Sequence, residues 1–311
     1  MLKSRTFPSD ARTMSSVHSP LPTRAGALVT FDRAEATANF RLRPFLVEHG
    51  LAGHPLFTLD ALGELADRLP SHLVEHNLGN VGAVVPGGEV PRLDASPGDL
   101  VRGIETNGCW IALPIVLADG KLDGLPGYQD LYDQIKEDLA PMVPGGRGAM
   151  SGFHSVIFLA ATGSTTPSHV DGEIGFLLHA RGTKRVAVGR YSSPERETAE
   201  LEAFHRNEHR NTGELPVDVT NFDLQPGQGV HVPPLVPHWV ENGPDVAISL
   251  SVGFQTPENL RRAGVYRFNA QARRLGLSPK SPGVSPPRDR VKSSLIWGAS
   301  RAKRKVRGPA R

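Results

Sequence analysis

His169 and Asp171, in the run Thr166-Pro167-Ser168-His169-Val170-Asp171, are separated by one residue. On an extended strand side chains alternate, so the imidazole and the carboxylate point to the same side. That pair is two-thirds of a 2-His-1-carboxylate facial triad, a donor set that leaves positions open on ferrous iron. The third ligand has to come from a distant strand. His238, 69 residues on (238 − 169), stands in a segment suited to present it. Pro226-Gly227 makes a turn, Val230 and Val232 alternate into a strand, and Pro233-Pro234 stop that strand so that His238 can begin the next. His238-Trp239-Val240-Glu241-Asn242 then runs into another turn at Gly243.

The elements around these residues are short and β-rich. Ser155 to Leu159, Gly175 to Ala180, Lys184 to Val188, Val217 to Leu224, Gly229 to Val232, His238 to Glu241 and Val246 to Phe254 all read as strands between Gly/Pro turns, the pattern of a sandwich or barrel. A charged helix from Pro194 to about Arg210 interrupts them, with Ser192 and Glu195 as a candidate capping box. Before the barrel, helical spacing of Leu59, Leu62, Leu65, Ala66 and Leu69 gives a helix from Thr58 to Leu69. A second amphipathic helix spans Tyr128 to Leu139. Asn80 to Asp99 reads as Gly/Pro-rich loop with short strands, and Cys109 to Val116 is a buried strand or helix that periodicity does not separate. Thr256-Pro257-Glu258 caps a long helix to about Leu275. The expected division is a disordered leader (1–25), a single catalytic domain (26–277) and a basic tail (278–311). Within the domain, 26–148 is an N-terminal helical part, 149–255 the β core and 256–277 the C-terminal helix.

The chain has 311 residues, 39% hydrophobic and 22% charged, enough for one full core. It contains no run of 18 apolar residues, so no membrane span is expected. The single cysteine, Cys109, excludes an internal disulfide and a Cys-cluster zinc site. A cytoplasmic location is the natural expectation. The net charge of +3 comes from the tail: Lys280 to Arg311 holds ten Lys/Arg against Asp289 alone, and without it the body carries 25 basic (35 − 10) against 31 acidic residues (32 − 1). The basic character therefore describes a tail, more often a solvated, disordered end than a docking arm for nucleic acid.

The half-site around His238 resembles the second half of the cupin signature. The first half resembles JmjC-type iron(II)- and 2-oxoglutarate-dependent hydroxylases of the asparaginyl-hydroxylase and cupin-like branch: Thr166 to Asp171 is similar to that branch's Thr-Pro-x-His-x-Asp. Gly182-Thr183-Lys184-Arg185 is similar to its Gly-x-Lys-Arg, with Lys184 at the same distance from the histidine (184 − 169 = 15). The resemblance covers roughly Ser155 to Phe254. It implies a double-stranded β-helix (jelly-roll) fold, mainly β with flanking helices, and iron held by His169, Asp171 and His238. It further implies that Lys184 pairs with the distal carboxylate of 2-oxoglutarate while Thr166 hydrogen-bonds it. Physical chemistry agrees, since a buried carboxylate needs a cation and a donor. Strand alternation turns Arg185 to the opposite face, toward solvent.

Two positions depart from that branch: Gly175 and Gly253 stand where it has asparagines near the metal-bound end of the co-substrate. Ser249 or Ser251 is a candidate compensation, and His154 shares its parity with Val156 and Phe158, either facing the pocket or satisfied in the core. A competing motif is His205-Arg206-Asn207-Glu208-His209, the inverted zincin pattern. It lies on a hydrophilic helix and is better explained as a solvated insertion. The expected activity is hydroxylation of a C–H bond of a protein, peptide or amino-acid-like small-molecule substrate, with 2-oxoglutarate converted to succinate and CO2. The alternative is a catalytically inactive cupin-like barrel that binds a metal or ligand, or regulates. The C-terminal helix is a candidate homodimer contact. Nucleic-acid contact through the tail has no supporting motif.

Overall fold

The computed structural model describes residues 12–14, 26–78, 93–115 and 126–307. Strands β1 (Arg12–Met14), β2 (Val29–Thr30), β3 (Phe45–His49), β4 (Glu75–Leu78) and β5 (Cys109–Pro114) come first, with helices α1 (Arg33–Asn39), α2 (Leu59–Arg68), α3 (Pro97–Arg102) and α4 (Pro126–Leu139) among them. The barrel strands follow: β6 (Ser151–Ala160), β7 (Thr165–His169), β8 (Ile174–Arg181) and β9 (Lys184–Arg190), then, after α5 (Pro194–His205), β10 (Val217–Leu224), β11 (Gln228–Val232), β12 (His238–Asn242) and β13 (Ala247–Gln255). Helices α6 (Pro257–Arg274) and α7 (Pro286–Arg307) close the described chain. No helix among the described residues is long and apolar enough to cross a membrane.

The eight strands from β6 to β13 split evenly between two sheets, in the order β11-β8-β13-β6 in one and β10-β9-β12-β7 in the other. This is the expected double-stranded β-helix. The N-terminal part does more than contribute helices. It extends the first sheet at both edges, β2 and β3 beyond β11 and β5 and β4 beyond β6, so that sheet has eight strands. Cys109 to Pro114 thus resolves as a strand, antiparallel to β6. Part of the expected Asn80–Asp99 loop region lies outside the described residues. Its end is the start of α3, capped by the Ser96 side chain. On the charged helix the cap is Ser193 rather than Ser192, accepting from the Arg196 N–H.

Alternation on the first sheet sorts side chains into two environments. Ile157 and Leu159, Phe176 and Leu178, and Leu250 and Val252 face outward into the main core with Leu62, Leu65, Ile135 and Leu139 of α2 and α4. The opposite parity, His154, Val156 and Phe158 with Ser249, Ser251 and Gly253, faces the barrel interior. Val186, Val188, Phe222, Leu224, Val230 and Val240 fill part of that interior as a second apolar cluster.

The ends of the chain depart from the expectation of disorder. β1 pairs in parallel with β10, while the rest of the expected leader lies outside the described residues. The tail forms α7, which packs on α6. A Cβ on Gly264 would meet Ser293 Oγ at 2.6 Å, Trp297 donates to the Leu260 carbonyl at 3.0 Å, and the Arg267 guanidinium lies 5.0 Å from the Trp297 ring. Asp289, Ser293 and Trp297 recur every four residues, so a composition that reads as solvated still presents one packing stripe. Helix α6, the candidate dimer contact, lies between α5 and α7, with ion pairs from Arg262 to Glu197 and Arg273 to Glu202.

Three buried histidines stitch the first sheet and its N-terminal extension. His179 bonds Ser249 and the Gly182 carbonyl, His231 bonds the Gly175 carbonyl and the Arg41 N–H, and His49 bonds the Gln228 carbonyl. Burial pushes His49 down to about 4 and His179 and His231 to about 3. Groups whose folded pKa lies below the unfolded 6.5 stabilise the protein fully above pH 6.5 and lose that contribution as the pH falls toward the folded value. Each costs roughly 1.4 kcal/mol per pH unit below 6.5. Moving from pH 7.5 to 5.5 should therefore remove about 4 kcal/mol and shift the urea midpoint clearly downward. Equal midpoints at the two pH values would show that these rings are charged, or not buried, in the folded protein.

Candidate metal centre

His169 ends β7, Asp171 follows it, and His238 begins β12. The two histidines are direct register partners across the β7–β12 pair, so strand pairing alone brings residues from distant parts of the chain together. The pairing shifts register between His238 and Val240, a bulge of the kind that re-aims a side chain at a site. Leu235, in the left-handed region at φ 66°, shapes the turn before His238, and its N–H donates to the Asp171 carbonyl at 2.7 Å.

Each histidine is held in one tautomer by the backbone two residues earlier. His169 Nδ1 donates to the Pro167 carbonyl at 2.8 Å and His238 Nδ1 to the Val236 carbonyl at 3.0 Å, which leaves both Nε2 lone pairs free. Backbone anchoring of this kind is the usual way a metal-binding imidazole is oriented. Asp171 Oδ2 lies 3.8 Å from His169 Nε2 and 3.6 Å from His238 Nε2, and the three ligand atoms fall within 4.8 Å of one another. Burial lowers the pKa of both imidazoles, so they are neutral, the form that ligates. Burial works to raise the Asp171 carboxyl, but the guanidinium of Arg210, which donates to Oδ1 at 2.8 Å, outweighs it and keeps the carboxylate ionised.

The triad opens into a cavity of about 310 Å³. Thr166, Lys184 and Asn242 line it along with the triad, and Trp110, Phe158, His154, Glu173 and Arg210 also border it. Lys184 shares its parity with Val186 and Val188 and turns inward, whereas Arg185 turns out to pair with Asp223 at 2.6 Å. Only 6% of Lys184 is exposed, and among the described residues its ammonium has no hydrogen-bond or ion-pair partner. Burial pushes it down to about 7. A buried cation with no counter-charge is costly, and the arrangement fits an anion that enters the cavity and pairs with it. Asn242, the register partner of Lys184, donates to Ser164 and leaves its buried Oδ1 unpaired.

Gly175 and Gly253 are register partners on the inner face. A Cβ on Gly253 would meet both Glu173 Oε1 and His154 Cε1 at 2.7 Å. The space that a longer side chain would take is filled by an ion pair, His154 Nε2 to Glu173 Oε1 at 3.0 Å. His154 Nδ1 meets the Gly152 carbonyl at 3.0 Å, so both ring nitrogens face oxygen acceptors and the ring is an imidazolium, pushed up to about 9 by its bond to Glu173. His154 therefore faces the cavity, while Ser249 is engaged with His179 and only Ser251 lines the cavity. Arg210, Glu173, Asn242 and Trp110 are cavity residues that the sequence motifs did not single out. The inverted zincin pattern does not assemble. Helix α5 ends at His205, which is buried and stacks on Tyr266 at 5.3 Å, and the side chain of His209 is 47% exposed. Among the described residues, the one His/Cys/Asp/Glu cluster with metal-binding spacing is the triad.

Residues 147–261 match the family model of the JmjC domain. Among solved structures, the chain is similar to E. coli YcfD, with a TM-score of 0.47 and 15% identity over 87% of this chain and 68% of that one. It is similar to the Escherichia coli ribosomal oxygenase YcfD in complex with cobalt and 2-oxoglutarate, with a TM-score of 0.42 and 16% identity over 84% of this chain and 64% of that one. It is also similar to an oxidoreductase of the 2OG-Fe(II) oxygenase family from Burkholderia pseudomallei, with a TM-score of 0.41 and 12% identity over 72% of this chain and 91% of that one. No curated protein sequence matches it.

Proposed function

We propose that this chain, which carries a JmjC domain over residues 147–261, is an iron(II)- and 2-oxoglutarate-dependent oxygenase that hydroxylates a C–H bond of a protein, peptide or amino-acid-like substrate. The observation that supports it best is the pairing of two features in one cavity: a metal-ready triad, and beyond it a buried lysine without a counter-anion. His169, Asp171 and His238 would hold the iron through Nε2, a carboxylate oxygen and Nε2. Lys184 would neutralise the far carboxylate of 2-oxoglutarate, with Thr166 as hydroxyl donor. Bound iron and 2-oxoglutarate would supply the oxidising chemistry: 2-oxoglutarate and O2 would be converted to succinate and CO2, with one oxygen atom ending in succinate and the other in the hydroxylated product.

The remaining side chains define where each molecule can lie. Val186 and Val240 line the same cavity as Lys184, and such apolar walls would strengthen its pairing with an anion. Trp110 and Phe158, whose rings stack at 5.4 Å between β5 and β6, border the same cavity and would contact a substrate held beside the triad. The test is succinate release from 2-oxoglutarate with Fe(II) added, with and without a panel of peptides and amino-acid-like metabolites. Turnover that depends on Fe(II) and rises with one member of the panel is the expected result. A protein that binds metal but neither binds nor converts 2-oxoglutarate would be a binding barrel and not an oxygenase.

A further inference from the structure

Arg210 lies 39 residues beyond Asp171, on the irregular segment after α5, and its guanidinium Nη2 donates to Asp171 Oδ1 at 2.8 Å. The other oxygen, Oδ2, is the one turned toward His169 and His238. The segment is not a loose loop that happens to touch the site. The Val170 N–H donates to the Arg210 carbonyl at 3.0 Å, His169 and Asn211 form a β-bridge, and the Thr212 N–H donates to the Ser168 carbonyl at 2.8 Å. Buried Thr212 Oγ1 also donates to Ser168 Oγ at 2.6 Å. Residues 210–212 therefore run antiparallel to 168–170, and this pairing with the ligand-bearing segment brings Arg210 to Asp171.

We propose that Arg210 is a positioning residue of the metal centre: it occupies Oδ1 so that Asp171 offers the metal Oδ2 alone. This rests on the metal-centre reading above. A carboxylate has two oxygens, and nothing else among the described residues engages Oδ1. With Oδ1 held by a guanidinium, the carboxylate stays in one orientation and cannot rotate to present both oxygens, which preserves the open positions that the donor set provides. The guanidinium also draws charge from the carboxylate, so its removal changes both geometry and donor strength.

The experiment loads the full chain with Co(II), without 2-oxoglutarate, and records its visible ligand-field absorption and affinity for wild type, Arg210→Ala, Arg210→Gln and Arg210→Lys. Arg210→Ala should change the position or intensity of the Co(II) bands and shift the affinity by about 10–100-fold, the size of effects from groups that orient ligands. Arg210→Lys and Arg210→Gln, each of which keeps a donor, should fall between it and wild type. Metal-free thermal unfolding of each variant separates this from a folding defect, and the Gln variant carries the test if the Ala variant fails to fold. Co(II) spectra and affinities indistinguishable from wild type in folded Arg210 variants would overturn the proposal. Failure of the metal centre itself reads differently: the wild type would then bind no Co(II), or His169→Ala would bind it as wild type does.

Discussion

Alanine at His169 or His238 is expected to abolish Fe(II) and Co(II) binding while the barrel still folds. In the proposed centre each histidine supplies one of three protein ligands, and the Nδ1 of the remaining histidine is already committed to a backbone carbonyl, so it offers no second nitrogen as a substitute. Loss of a group that merely orients a ligand costs about 10–100-fold in metal affinity, so loss of a ligand itself should exceed roughly a hundredfold. The fold survives because these side chains line a cavity and are not part of the apolar clusters. Metal binding to the native state alone raises stability by mass action, about 2.7 kcal/mol at a hundred times the dissociation constant. Wild type should therefore melt at higher temperature with Co(II) added, and both variants should not. Full metal stoichiometry in either variant would refute the ligand assignment. His205→Ala should leave metal binding unchanged, because His205 packs on Tyr266 and is not among the clustered ligand atoms.

Lys184→Ala should leave metal affinity nearly untouched and weaken 2-oxoglutarate binding by roughly a hundredfold to several-thousandfold. The estimate follows from leaving a buried carboxylate unpaired, a loss on the order of 3–5 kcal/mol, at about 1.4 kcal/mol per tenfold. Lys184→Arg should rescue poorly, since a planar fork does not replace a compact ammonium in a fitted pocket. The pH dependence follows from the same burial. In the free protein the Lys184 ammonium loses its proton near pH 7, so above that an incoming dianion must bind together with a proton. Affinity for 2-oxoglutarate should then fall about tenfold per pH unit above 7, until the pKa of the bound state is reached. Anaerobic titration of 2-oxoglutarate into the Fe(II) protein, followed by its metal-to-ligand charge-transfer band, measures both effects. Equal binding by Lys184→Ala and wild type would remove the co-substrate assignment.

His169 and Asp171 were legible because strand alternation has an unambiguous period, His238 because turns set it at the start of a strand, and Lys184 because Gly182 to Arg185 resembles a family motif, alternation then turning Arg185 to the opposite face. Arg210 was not legible, because it lies on an irregular segment with no period and reaches Asp171 through a β-bridge formed only in the folded chain. The His154–Glu173 pair was half legible. Parity gave the direction of His154, but its partner and the reason for glycine at 253 needed the third dimension. In the tail, composition and packing gave opposite answers. Prolines and basic residues suggested solvation, whereas Ser293 and Trp297 at helical spacing meet Gly264 of α6. In the N-terminal part, the short apolar runs of β3 and β5 did not by themselves announce strands, and their pairing with β11 and β6 at the barrel's edges is visible only in the folded chain.

If His169 and His238 hold the metal as proposed, their direct pairing would also govern how it is acquired over time. A centre split across strands so distant in the chain cannot exist in a collapsed or half-zipped intermediate, and closing long-range strand pairs is intrinsically slow. Metal added during refolding should thus leave the folding rate unchanged and act only on the return path, slowing unfolding. Each transient parting of β7 from β12 would separate two of the proposed ligands, so the rate of metal loss to a chelator should report the breathing of that one strand pair.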